Sequence, residues 1–141
     1  MTIDEVFELL GIKKTKRMLK EARDNIKTLN DDLFELEKQK RKAASELKAR
    51  ELIMKRDIAM EIEPGTQNKK AFTNDSLRDA EFIMRSAADK NIADLRDELD
   101  LLVAGIFQKK ISLQIEGEAN KELLLDYKMA ISLIPYLNTE D

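Results

Sequence analysis

From Ile12 to Glu63 the chain alternates steps of three and four between Leu19, Ala22, Ile26, Leu29, Leu33, Leu36, Lys40, Ala43, Leu47, Arg50, Met54 and Asp57, and nine of these twelve positions are apolar. On a helix such a stagger draws one narrow apolar seam, the pattern of a coiled coil. A second segment repeats it through Ala88, Ile92, Leu95, Leu99, Leu102, Ile106, Lys109, Leu113, Glu116, Asn120, Leu123, Tyr127, Ala130 and Ile134, with eleven of fourteen apolar. The first seam loses its phase after Leu47, where the apolar residues move to Leu52, Ile53, Ile58 and Ile62. A stutter is therefore expected between about 47 and 54.

Between the two segments lies Glu63-Pro64-Gly65-Thr66-Gln67-Asn68-Lys69-Lys70-Ala71-Phe72-Thr73-Asn74. Pro64 has no amide hydrogen to donate and Gly65 accepts positive φ, so this stretch is the tip of a hairpin. The pattern predicts an all-α antiparallel coiled-coil hairpin in a single domain, 1–141. Its first arm is 12–63, its tip 64–73, its second arm 74–134, opened by an N-cap among Thr73, Asn74 and Asp75, and its tail 135–141 follows Pro135. A first arm of 52 residues would be about 78 Å long. Thr2-Ile3-Asp4-Glu5 is a capping box, so a separate short helix is expected over 2–10, ended by Gly11. Folding the arms about the tip sets opposite each other residues whose numbers sum to about 138, which places Lys40 near Glu98, Arg50 near Asp89 and Glu116 near Ala22 and Arg23.

One feature exceeds what a two-stranded hairpin can cover. Beside its seam the second arm carries Leu101, Val103, Phe107, Ile111, Ile115 and Ala119, an apolar face wider than one partner helix can bury. A second copy of the chain is the simplest cover, so self-association through Leu101, Val103, Phe107, Ile111 and Ile115 is expected, as a homodimer that forms a helical bundle.

Composition agrees with long helices. Charged residues make up 38% of the 141 residues and aromatics 5%, with four glycines and two prolines. The chain contains no cysteine and no histidine, which removes disulfides, thiol nucleophiles, zinc fingers and imidazole base chemistry. The longest apolar run, Leu101 to Phe107, is far short of the roughly 20 residues that span a bilayer, and the acidic start is unlike a signal peptide. No membrane association and a cytoplasmic location are expected.

Charge is unequally divided between the arms, +4 over 12–63 and −6 over 74–141. Lys13, Lys14, Lys16, Arg17, Lys20 and Arg23 set six positive charges in eleven residues, enough to contact a phosphate backbone. No aromatic side chain stands among them for base stacking and Glu21 and Asp24 interrupt the face, so a solvated face, or one paired with the acidic arm, is the favoured reading. Glu21/Asp24, Asp32/Glu35, Asp94/Asp97 and Asp97/Asp100 place carboxylates three apart, as helical Mg-dependent nucleotide pyrophosphohydrolases do, but 28 acids produce such pairs by chance. Phosphate loops and serine–histidine arrangements are missing, so no catalytic residue, metal site or cofactor is expected.

The stretch Asn68-Lys69-Lys70-Ala71-Phe72-Thr73-Asn74-Asp75-Ser76-Leu77-Arg78-Asp79-Ala80-Glu81, followed by a long heptad helix to about residue 134, resembles small helical-hairpin proteins encoded by bacteriophages and prophages. That resemblance implies a host-cell cytoplasmic accessory or inhibitory factor acting on a protein partner. It implies no catalytic residue. The sequence thus points first to a non-enzymatic protein-binding module and second to a nucleic-acid-binding accessory protein of replication or recombination using residues 13–23.

Overall fold

The computed structural model describes residues 1–137, and the last four positions of the expected tail, 138–141, lie outside the described residues. The fold class is an all-α helical hairpin. Four α-helices follow in order, α1 (Ile3–Leu9), α2 (Ile12–Met60), α3 (Asp75–Ala88) and α4 (Lys90–Leu133), before a 3-10 turn at Ile134–Tyr136. The chain divides into two compact units, one of residues 1–34 with 107–141 and one of residues 35–106.

In the first unit, α1 starts on the expected capping box. The Glu5 amide donates to Thr2 Oγ1 at 3.2 Å and the Thr2 amide donates to Glu5 Oε2 at 3.1 Å, so two otherwise orphaned donors are satisfied. Gly11 takes φ +63, a conformation that costs other residues a Cβ clash, and the chain turns there into α2. Val6 and Ile12, on either side of that turn, are fully buried. Leu19 and Ala22 of α2 are buried and Ile26, Leu29 and Leu33 half-buried, while Leu113, Leu123, Tyr127 and Ala130 of α4 are half-buried in the same unit. Asp32 of α2 and Lys109 of α4 pair at 3.3 Å, which sets the register of this unit. Their numbers sum to 141, three beyond the expected 138. Pro135 and Tyr136, which the sequence assigns to the tail, instead lie in the 3-10 turn, and the Leu137 amide donates to Ile134 O at 3.1 Å.

In the second unit, α2 stops three residues before the predicted 63. Glu61 to Glu63 leave the helix and pair with Lys69 to Ala71: the Glu63 amide donates to Lys69 O at 2.8 Å and the Ala71 amide to Glu61 O at 2.9 Å. Between them Glu63-Pro64-Gly65-Thr66 closes a turn, with Gly65 at φ +81 and the Thr66 amide donating to Glu63 O at 3.2 Å. The tip is therefore a short backbone ladder rather than a bare loop. Residues preceding proline avoid the helical region, which is why Glu63 cannot extend α2.

The phase change in α2 falls where expected. Ala43, Leu47, Glu51, Met54 and Ile58 are buried or half-buried, so an additional step of four separates Leu47 from Glu51, and Glu51 takes the inward place that the sequence pattern assigns to Arg50. Arg50 and Asp57 are exposed.

The second arm is two helices where one was predicted. Asn74 caps α3, its Oδ1 accepting from the Leu77 amide at 2.9 Å. At Asp89 the backbone becomes extended (ψ 114), and the Asp89 side chain accepts from the Ile92 amide at 3.0 Å. Asp89 thus ends α3 and caps α4. Ala88, assigned to the seam from the sequence, is consequently exposed, whereas Ile92, Leu95, Leu102 and Ile106 are buried.

Candidate functional site

The residues expected to self-associate all face solvent. In the first unit Phe107, Ile111 and Ile115 of α4 are 64%, 42% and 64% exposed; in the second unit Leu101 and Val103 are exposed as well. Each lies off the seam that α4 turns toward α2. Within the first unit the row 107, 111, 115, 119 advances by four, and four residues turn an α-helix through about 400°, so the row winds by about 40° per step instead of running straight. It is an i±4 ridge, inclined to the helix axis.

The basic run is likewise solvated. Lys13, Lys14, Lys16, Arg17, Lys20 and Arg23 are all exposed on α2 of the first unit. Lys13 stands 4.0 Å from Asp4, and the other five make no ion pair with any described residue. The expected electrostatic pairing of a basic first arm with an acidic second arm is corrected here. The ion pairs that join the arms run in the opposite sense, with acids on the first arm and bases on the second: Asp32 with Lys109 at 3.3 Å, Glu51 with Arg96 at 3.5 Å, and Glu61 with Arg85. Long basic side chains of α3 and α4 reach back over the seam to the acids, and the positive residues of α2 are left in water. Of the placements expected from a sum of 138, Arg50 and Asp89 do line one cavity, but no ion pair joins them. Lys40 is exposed, Arg50 pairs within its own helix with Glu46 at 3.8 Å, and Glu116 is half-buried beside Asn25.

Glu61 and Arg85 belong to a cluster that sequence reasoning missed. The Arg85 guanidinium donates to Glu81 Oε1 at 2.6 Å and to Glu61 Oε2, and it lies 5.6 Å from the centre of the Phe72 ring. Hydrogen bonds to Glu81 first and Glu61 second push its pKa above the ordinary arginine value. The guanidinium's own titration therefore removes this stabilisation only in strong alkali. The available signal was the Glu81/Arg85 spacing of four; Glu61 is a contact across the tip that no local pattern announces.

Two of the cavities lie between α2 and the second arm. One, of about 280 Å³, is lined by Arg50, Ile53, Met54, Asp57, Arg85, Asp89 and Ile92 in the second unit, and one of about 440 Å³ lies beside Asp32, Lys109 and Glu116 in the first. Both pair acids with bases, and the two hydroxyls at the second, Thr28 and Ser112, have no histidine to activate them. The paired carboxylates Glu21/Asp24, Asp32/Glu35 and Asp94/Asp97/Asp100 are all exposed, and no cluster of three metal-binding side chains occurs among the described residues. At the tip, Lys69 pairs with Glu63 at 3.1 Å and Lys70 Nζ lies 3.9 Å from Met60 Sδ, so both lysines are engaged within the loop itself. No described helix is long and apolar enough to cross a membrane.

Helix α3 holds the second feature that sequence reasoning missed. Its half-buried or buried residues are Arg78, Glu81, Phe82, Arg85 and Ser86, mostly polar, whereas Leu77, Ala80, Ile83, Met84, Ala87 and Ala88 are exposed. The polar side faces α2 and the apolar side faces water. No family profile, no curated protein and no solved structure matches the chain.

Proposed function

We propose that the chain is a non-enzymatic helical protein-binding module, and that Phe107, Ile111 and Ile115 of α4 receive a helix of a protein partner. The observation that carries this is the 64% exposure of both Phe107 and Ile115 on a helix whose seam is already occupied by α2. Large apolar side chains in a row beside a finished core have no folding role that requires them there. Because an i±4 ridge is inclined to its helix, the incoming helix should cross α4 at roughly −50° rather than lie along it. An accessory or inhibitory factor of the phage and prophage type, acting in the host cytoplasm, is the role that the resemblance over residues 68–134 adds.

A second reading has one specific observation in its favour. Lys14, Lys16, Arg17, Lys20 and Arg23 make no ion pair with a described residue, which leaves them available to phosphates. Two measurements separate the readings. Proteins retained by the immobilised chain and reconstituted from pure components should bind at least about tenfold more weakly to Phe107→Asp/Ile111→Asp. Duplex DNA should bind weakly at about 150 mM salt; sub-micromolar affinity there, with a log–log salt slope near −0.9 per phosphate that flattens in Lys13→Glu/Lys14→Glu/Arg17→Glu, would establish the nucleic-acid reading instead.

A further inference from the structure

The inverted polarity of α3 has a geometric regularity. At 100° per residue, Leu77, Ala80, Met84 and Ala87 fall within an arc of about 80°, and no charged residue of α3 lies inside it. Asp75, Arg78 and Asp79 instead line a cavity with Lys55 and Ile58 of α2, and Arg85 is held by Glu81 and Glu61. The exposed members of the face are large, with Leu77 at 47%, Ile83 at 68% and Met84 at 65%.

We propose that this face is a two-fold contact between two copies of the chain, α3 lying antiparallel to α3 of the second copy. The spacing of the four residues is 3-4-3, which reads the same in both directions. Turned end for end about Phe82, the stripe sets Leu77 opposite Ala87 and Ala80 opposite Met84, so each layer has one large and one small side chain. A face that must fit itself under a two-fold axis needs this self-complementarity, whereas a face shaped for a different protein does not. Alanines at half of the layers let the helix axes approach closely, and Ile83 meets its own symmetry mate along one side.

Charge is compatible with this pairing. Among the charged residues of α3 only Glu81 borders the stripe, and its carboxylate is already bound by Arg85 at 2.6 Å; with Glu61 on the same guanidinium the cluster carries one net negative charge, which lies at the edge of the stripe and outside its arc. The stripe with Ile83 and Ala88 exposes on the order of 500 Å² per copy, about 1,000 Å² for the pair, below the roughly 1,200 Å² of stable specific interfaces and in the range of weak ones. The dimer should therefore dissociate on dilution. The contact is independent of the α4 row, whose winding suits a crossing helix.

The test is sedimentation equilibrium of the full chain from about 5 to about 200 µM, read with circular dichroism. The wild-type chain should move from 16.2 kDa toward twice that mass as concentration rises. Met84→Glu should remain at the monomer mass throughout with unchanged helicity, because Met84 touches little within its own chain. Ala80→Met, which sets two large side chains in one layer, should weaken association by at least about tenfold, and Ala80→Met/Met84→Ala, which restores one large and one small, should recover it to within about threefold. A wild-type chain that stays monomeric, a dimer indifferent to Met84→Glu, or a double variant that fails to recover would each overturn the proposal. So would a dimer lost in Phe107→Asp while Met84→Glu leaves it intact.

Discussion

Within the second unit, α3 and the first four turns of α4 both lie against α2 and are built on opposite plans. The start of α4 buries Ile92, Leu95, Leu102 and Ile106 and holds one cross-arm ion pair, Glu51 with Arg96. Helix α3 buries Ser86, tucks Phe82 and the shafts of Arg78 and Arg85 beneath it, and leaves Leu77, Ile83 and Met84 in water. The non-directional hydrophobic effect holds α4 in place, whereas α3 is held by a small set of directed contacts around Arg85. Asp89 separates the two plans. An extended residue that ends one helix and caps the next lets each choose its own face, which a continuous helix with one phase could not do.

The comparison predicts unequal responses to truncation, and the largest belongs to α4. Ile92 is 1% exposed, so Ile92→Ala removes three buried carbons and leaves a cavity; a loss of about 2–4 kcal/mol is expected in chemical denaturation. A loss under about 1 kcal/mol would mean that α4 is not anchored by its seam. In the first unit the same helix carries a polar exception, Asn120, whose Oδ1 is buried with no hydrogen-bond partner among the described residues. Asn120→Leu should therefore raise stability by about 1–2 kcal/mol, since it removes an unsatisfied acceptor from a seam position, and should loosen the pairing register that a buried polar group enforces. Destabilisation in the same assay would show that Asn120 makes contacts that outweigh its orphaned oxygen.

For α3 the corresponding anchor is ionic. Arg85→Ala removes bonds to Glu81 and Glu61, but the Arg85 side chain is 35% exposed and solvent screens the pair, so about 1 kcal/mol is expected. The loss should shrink at 1 M salt, where the Debye length falls to about 3 Å, and Ile92→Ala should be insensitive to the same change. Equal salt responses from the two variants would remove the distinction between the plans.

Much of this was legible beforehand because coiled-coil seams declare themselves locally. Every seam position from Ile92 to Ile134 is inward or half-inward, the Thr2/Glu5 box caps α1 as written, and the loss of phase after Leu47 marks the extra step at Glu51. Other features depended on contacts between distant parts of the chain. The sense of the ion pairs across the arms follows from which charged residues flank the seam at facing positions, and net charge per arm does not record that. The break at Asp89 was hidden because extending the α4 heptad back to Ala88 is locally consistent; only the capping bond from the Ile92 amide shows that the helix restarts. The expected self-association residues are exposed, yet exposure alone did not single them out, since α3 exposes an equally apolar face that the seam analysis passed over.

The smallest expected effects test the outward side of α3 against the solvent side of α4. Gly117 sits within α4 with nothing within 4 Å of where a Cβ would be, so Gly117→Ala should stabilise by about 0.5–1 kcal/mol through helix propensity alone. Gly11, equally unobstructed but at φ +63, should respond to the same change with a loss of about 1 kcal/mol, because there Cβ would strain the local backbone without touching the rest of the chain. Leu77→Gln completes the comparison. Leu77 is 47% exposed and its helix is anchored on the opposite side, so the variant should stay within about 0.5 kcal/mol of the parent at protein concentrations low enough to keep the chain monomeric. At high concentration the same variant should melt earlier than the parent, since a residue that contributes nothing to its own fold but stabilises a pair shows its effect only when the pair forms. A loss above about 1 kcal/mol in the dilute chain would place Leu77 among the residues that hold α3, and the contrast between the two helices would then be one of degree rather than of plan.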